Sequence, residues 1–300
     1  MAVWIWVAIL ASISQSFRTA QQKNLKSRLG DFGASYVRFS YALPFAWIWL
    51  LGYSFFKKTP IPDLNYIFIF WVTVAGVLQI IFTVLLIKLF SHRTFAAGTA
   101  FSKTEVIQVA FFEALIIGYV VSFQIGFALI IGFVAIVLLS IVKGQISFSN
   151  LLESLFSKQA GLGLSSGAFL ALCSVCFRAA TDSLEGNDLI VKAGTTLGIS
   201  LVLQTALMGV WMQMNAKSEL ILTLKEWKRS SIVGFFGALT SFCWFYAFSA
   251  NAVAPVRAIG QIELIFALVI SIFFFQERPS WKEFSAIGLL LLSIILVLLD

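Results

Sequence analysis

Ten stretches of this 300-residue chain stay apolar for roughly 20 residues at a time, and that length restricts the fold more than any other feature. A helix rises about 1.5 Å per residue, so about 20 apolar residues reach across the ~30 Å hydrocarbon core of a bilayer. On that ruler, spanning helices fall at 2–22, 34–54, 66–88, 94–117, 121–142, 161–182, 189–212, 231–249, 253–275 and 281–299. The runs are continuous and do not alternate with period two. A β-barrel is thereby excluded, leaving helices that satisfy their own backbone groups. The expected class is an all-α integral membrane protein with ten transmembrane helices and the lipid bilayer as its solvent. Composition agrees, since only 12% of the residues are charged, against about one-quarter in soluble domains. Trp4, Trp71, Trp211, Trp227 and Trp281 fall where apolar runs begin or end, which suits an interfacial aromatic belt. The first run, from Ala2, lacks a basic flank and a small-residue cleavage site, so it reads as a retained helix and not a signal peptide.

The same pattern removes several classes of function. The net charge of +7 is scattered through short polar joints, with no basic stripe interleaved with stacking aromatics, so nucleic acid is not an expected partner. Cys173 and Cys176 form a CxxC inside an apolar run, without a second pair or a nearby histidine, and read as packing residues. No metal site or cofactor motif is expected. No phosphate-cradling glycine loop precedes a Lys-Ser or Lys-Thr, and one histidine, His92, leaves no Ser/His/Asp set. The chain is therefore not expected to be an enzyme or an ATPase. Gly163 with Gly167 and Gly194 with Gly198 have the spacing that lets helix backbones approach closely.

The chain also matches itself. Leu89-Phe90-Ser91 with Ala96 falls on Ala247-Phe248-Ser249 with Ala254, and Glu105 falls on Glu263, all at an offset of 158 residues. Phe17-Arg18 with Ala20 falls on Phe177-Arg178 with Ala180 at an offset of 160. Residues 1–142 and 161–300 then form two five-helix repeats. Residues 143–160 join them, with Leu151, Leu152, Leu155 and Phe156 spaced for an interfacial helix. An odd number of spans per half makes the second copy enter the membrane from the opposite side, an inverted repeat typical of secondary transporters.

Gln261-Ile262-Glu263-Leu264, the apolar residues up to Phe275-Gln276-Glu277-Arg278, and Gly288 resemble the EamA-type repeat of the drug/metabolite transporter superfamily. In that repeat a membrane Glu is followed about fourteen residues later by a Gly-Glu that closes the helix. The chain departs from it at Val106 and Leu264, where a Pro is usual, at Tyr119, where the first closing Glu would stand, and at Gln276, which replaces the second Gly. The resemblance implies two inverted five-helix halves around a central cavity, export or exchange of small metabolites such as amino acids, and a bacterial inner membrane. Counting Lys and Arg by joint gives 12 on odd joints against 3 on even ones, which would put both termini outside, whereas the resemblance would more usually put them inside.

A charge near the bilayer centre costs about 2.5 to 3.5 kcal/mol on insertion scales, so such residues face a cavity or a partner. Glu105 and Glu263, each about eleven residues into its run, are the central candidates, either as counter-ions for a cationic or zwitterionic solute or as proton carriers. A buried acid that simply holds helices together is the bland alternative. Lys103 and Glu105 point to nearly opposite faces, so they do not form a local pair. Lys103 and Arg257 would instead bind a solute carboxylate or meet the acids of the other half across the bundle. Gln261 shares a stripe with Arg257, and Gly260 beside it would open room for a ligand. Trp244 and Tyr246 would line an amphipathic cavity or simply pack. Arg18, Arg178, Arg38 and Lys88 lie toward run ends, where long side chains reach the interface. The leading reading is a secondary transporter of a small-molecule metabolite, with protons or a counter-substrate as coupling species. Multidrug efflux or uptake of a cofactor precursor is the alternative within transport, and a membrane enzyme or a scaffold the alternative outside it.

Overall fold

The computed structural model describes residues 3–89, 102–142, 158–266 and 280–300, and all regular structure among them is helical. In chain order the helices are α1 (Val3–Ser40), α2 (Leu43–Lys57), α3 (Tyr66–Leu89), α4 (Glu105–Ile116), α5 (Phe123–Val142) and α6 (Lys158–Asp182). They continue as α7 (Leu189–Asn215), α8 (Lys217–Lys225), α9 (Trp227–Ala250), α10 (Val253–Gly260) and α11 (Trp281–Leu298). Six stretches are long and apolar enough to cross a membrane: Val3–Lys57, Tyr66–Lys88, Gly161–Asp182, Leu189–Asn215, Trp227–Ala250 and Trp281–Leu298. Phe123–Leu139 is a shorter apolar helix. His92, residues 143–157 of the expected linker, and parts of the expected spans 94–117 and 253–275 lie outside the described residues, as does the Phe275–Arg278 motif.

The first of the six stretches covers 55 residues, about 80 Å of straight helix, far more than a bilayer needs. It folds back at Gly30, whose φ of 76° and ψ of −177° suit a residue without Cβ. Gln22 Nε2 donates to the Ala34 carbonyl at 2.9 Å, and Lys26 pairs with Asp31 at 2.9 Å. In a straight helix residues 22 and 34 would be about 18 Å apart, so α1 comprises two limbs, 3–29 and 31–40. The first limb therefore runs past residue 22, where the basic stretch looked like a loop; it is helical up to the turn.

Helix α8 was expected to be a joint and is a helix instead. Its Glu219 accepts from the backbone N–H groups of Phe32 and Gly33 at 2.9 and 2.8 Å, capping the second limb of α1. Tyr41 donates to the Thr223 carbonyl at 2.8 Å, and Arg28 pairs with Glu226 at 3.1 Å. The α1 turn and the α7–α9 connection therefore share one face of the bundle. Lys26, which donates to the Ile87 carbonyl at 2.7 Å, brings the end of α3 to that face. Lys88 reaches outward there, as a residue at a helix end should, with its ammonium 5.4 Å from the Phe32 ring. At the other end of α3, Asn65 donates to the Ser183 carbonyl at 2.6 Å, and Tyr53 donates to Asp188 at 3.1 Å. The first limb of α1 thus ends at one face and α6 ends at the opposite one. These two helices run in opposite senses.

Packing follows small residues. Gly194 and Gly198 of α7 lie against Leu50 and Trp47 of α2. Gly167 of α6 faces the Ser102–Glu105 segment so closely that a Cβ there would sit 2.7 Å from the Ser102 carbonyl oxygen. Cys173, Cys176 and Cys243 are free thiols buried among apolar side chains.

Candidate functional site

The backbone tightens at two matched places. Val106 and Ile107 donate to Lys103 and Thr104, and Leu264 and Ile265 donate to Gln261 and Ile262, all three-residue bonds. Adding 158 to the first set of residue numbers gives the second. The expected continuous helices 94–117 and 253–275 are therefore interrupted where their acids stand. Neither break carries a proline, so the apolar pattern gave no warning. The contact of Gly167 with Ser102 shows that tertiary packing takes part in the first break. A short tight stretch inside a helix re-aims the side chains that follow it.

Across these breaks the charges pair between the two halves. Lys103 forms an ion pair with Glu263. Arg257 Nη1 lies 3.8 Å from Glu105 Oε1, while its Nη2 donates to Ser174 Oγ at 2.7 Å. The Arg257 guanidinium also lies 4.6 Å from the Trp244 ring centroid and 5.4 Å from that of Phe248, and those two rings are stacked. Trp244 donates from Nε1 to Gln15 Oε1 at 3.0 Å, and Gln261 donates to the Arg257 carbonyl at 3.4 Å. Glu105, Arg257 and Gln261 are buried, yet Glu105 Oε2, Arg257 Nε and Gln261 Oε1 find no partner among the described residues. Buried polar atoms are nearly always satisfied, so a cluster of orphans marks a place where something else belongs.

Gly260 does not open room for a ligand as expected. A Cβ there would lie 2.6 Å from Cη2 of Trp244, so the indole occupies that space. The room lies on the other side of Arg257. A small cavity of about 20 Å³ there, closed down to the space of about one water, is lined by Gln15, Arg38, Gln79, Ser174, Ser241 and Arg257 together with aromatic rings that include Phe177 and Phe248. Trp244 borders it; Tyr246 does not, and packs half-buried against the core.

Two arginines expected near helix ends are internal. Arg18 is 2% exposed and stands about three turns before Gly30, because the helix does not end at residue 22. It lies one turn beyond Gln15 on the same helical face, and its Nε and Nη1 have no hydrogen-bond partner among the described residues. Arg38 is 5% exposed and donates to Thr83 Oγ1 at 2.9 Å. Arg18, Arg38 and Arg257 lie within electrostatic range of one another. Arg178, by contrast, does stand near the end of α6, where Glu113 Oε1 accepts from it at 2.5 Å and Asp182 at 3.3 Å.

Sequence reasoning passed over Glu113. This fully buried acid of α4 also accepts the backbone N–H groups of Val253 and Ala254 at 2.7 and 3.0 Å, capping α10. The signal was there: an acid inside the apolar run Phe111-Phe112-Glu113-Ala114-Leu115, the same criterion that selects Glu105. Gln79 and Gln204, bonded to each other at 2.7 Å inside the bundle, escaped notice because neutral amides stand out less in an apolar run.

The profile of the EamA-like transporter family matches residues 159–299. Over those residues the chain is similar to EamA-type transporters. That family belongs to the drug/metabolite transporter superfamily, and together with the apolar helices it makes the chain an integral membrane protein. One crystal structure superposes on 99% of this chain and 96% of its own length with a TM-score of 0.70 at 12% sequence identity. At that identity the likeness is one of fold. No curated protein matches the sequence. The half that this family matches contributes Ser174, Trp244, Arg257, Gln261 and Glu263 to the cluster; Gln15, Arg18, Arg38, Lys103 and Glu105 come from the other half.

Proposed function

We propose that the chain is a secondary active transporter that moves a small metabolite by alternating access, exporting or exchanging it across a bacterial inner membrane. In this reading ten spans form two inverted five-helix repeats, and protons or a counter-solute drive the cycle. The observation that carries it is the pair of matched helix breaks, each holding an acid paired to a base of the other half, beside an internal cavity. Broken helices expose backbone groups and re-aimed side chains at membrane depth, which is tolerated where they line a solute path. The opposite senses of α1 and α6 favour the same reading, because inverted halves make inward-open and outward-open states nearly equal in energy. Two cross-half ion pairs give such a cycle a latch that is made in one state and broken in the other.

Flux in proteoliposomes tests this. Vesicles containing the protein, preloaded with a mixture of amino acids and organic acids, are expected to accumulate at least one labelled member by counterflow, while empty vesicles do not. Glu105→Gln with Glu263→Gln should reduce that flux at least tenfold in protein that still melts cooperatively. Undiminished flux in the double variant would remove both acids from the mechanism.

A further inference from the structure

The cavity beside Arg257 has an electrostatic balance opposite to the one the two acids suggested from sequence. Glu105 and Glu263, candidate counter-ions for a cation, each already face a base. Arg18 and Arg38 lie near Arg257, and neither makes an ion pair among the described residues, whereas Arg257 faces Glu105 and Lys103 pairs with Glu263. Arg18 is the more exposing case, since two of its buried guanidinium nitrogens make no hydrogen bond there. Burying a guanidinium without compensation is unfavourable, and lipid offers no water to repair the loss. Arg18 is not at a helix end, and Arg38, in the last turn of α1, is 5% exposed and turned inward to Thr83, so neither reaches the interface. Arg38 and Arg257 line the cavity, and Arg18 is one turn from Gln15, which also lines it.

We infer that the transported solute is a small organic oxyanion, a carboxylate or a phosphate, whose charged group is received by Arg18 and Arg38 while its body lies against Phe177 and Phe248. The inference rests on the transporter reading above and narrows it to a substrate class. Guanidinium forks match the planar carboxylate and the tetrahedral phosphate with paired, charge-assisted hydrogen bonds. A cation would face the two unpaired positive charges, while Glu105 and Glu263 already face Arg257 and Lys103. Once the anion is bound, the Arg18 nitrogens are satisfied and the cluster loses half of its excess charge to a carboxylate and more to a phosphate. Loaded and empty carriers then differ most in the place where the two halves meet.

Equilibrium binding to the purified full chain in a non-ionic detergent tests this without any need for flux. Succinate, benzoate and glycerol 3-phosphate are the soluble oxyanion probes; tetraphenylphosphonium and lysine are the cationic ones, and phosphatidylglycerol supplies a lipid-borne phosphate. At least one soluble oxyanion is expected to raise the melting temperature and to bind saturably, and the cations to do neither. Arg18→Gln and Arg38→Gln should each weaken that binding at least tenfold, with Arg18→Lys, which keeps the charge but not the fork, falling between Arg18→Gln and the parent. Without ligand, Arg18→Gln should melt at or above the parent temperature, the opposite of what a purely structural arginine would do. Stabilisation by the cations alone, by phosphatidylglycerol alone or by none of the probes overturns the inference, as does oxyanion binding that Arg38→Gln leaves intact. If Arg18→Gln does not fold, the parent's choice between anions and cations and the Arg38→Gln result still decide. A carrier that binds no oxyanion yet shows counterflow would refute the substrate class and leave transport standing; one that binds an oxyanion without flux would do the reverse.

Discussion

Arg18 and Arg178 fall on each other when the chain is aligned with itself at an offset of 160, yet the fold gives them opposite surroundings. Arg178 is held by two carboxylates, Glu113 and Asp182, and its guanidinium lies 5.8 Å from the Tyr119 ring centroid. Glu113 in turn uses its remaining capacity on two backbone N–H groups of α10, so that cluster is complete. Arg18 is more deeply buried and makes no ion pair among the described residues. One arginine is part of a lock that ties α4, α6 and α10 together. The other is buried one turn from the cavity-lining Gln15 with two of its nitrogens unbonded among the described residues. The lesson is that burial of a charge does not by itself distinguish structure from function in a membrane bundle; the satisfaction of its hydrogen-bonding capacity does.

Breaking the lock should have the largest effect. Glu113→Ala removes a buried ion pair and uncaps α10, and is expected to cost about 3 to 5 kcal/mol, read as lost yield and a lowered melting temperature in detergent. Arg178→Met leaves the Glu113 charge buried with only its backbone donors, and should cost about 3 kcal/mol. The paired substitution Arg18→Met is expected to cost nothing or to stabilise the empty protein, and equal losses at the two positions would erase the distinction drawn here. Gly167→Ala probes the break itself: its Cβ would press on the Ser102 carbonyl, and about 1 to 3 kcal/mol should be lost by overpacking. Flux should fall with it if the tight turn at Lys103–Thr104 matters. The smallest effect is expected at the latch, where Lys103→Glu with Glu263→Lys restores what either reversal loses. A coupling of about 1 kcal/mol in that double-mutant cycle would indicate that the two residues meet as a pair, and zero coupling would say that the contact is incidental.

Much of the fold was legible in the sequence for a simple reason: lipid forbids unsatisfied backbone, so long apolar runs become helices with few alternatives. The runs at 66–88, 121–142, 189–212 and 281–299 correspond to α3, α5, α7 and α11 within a few residues. The errors fell where polar residues are helical without being in lipid. The stretch Lys23–Arg28 continues α1 up to Gly30, and Lys217–Lys225 folds as α8 because Glu219 and Thr223 engage the α1 turn. The site was half legible. Midplane charges picked out Lys103, Glu105, Arg257 and Glu263, and the structure brings all four together. Their pairing, the breaks beneath them and the roles of Arg38, Gln79 and Glu113 depended on which helix lies opposite which, and spacing along one run carries no such information.

The sequence by itself determined that this chain is a helical membrane protein and, over residues 159–299, that it is similar to the EamA-like transporter family, because apolar length and local motif are properties of contiguous residues. Only the tertiary structure decided which buried charges answer one another. Lys103 and Glu263 are 160 residues apart along the chain and in contact across it, whereas Arg18 has no acid partner among the described residues. Neutralisation at membrane depth is a matter of a few ångströms between different helices, and that distance exists only once the bundle has closed.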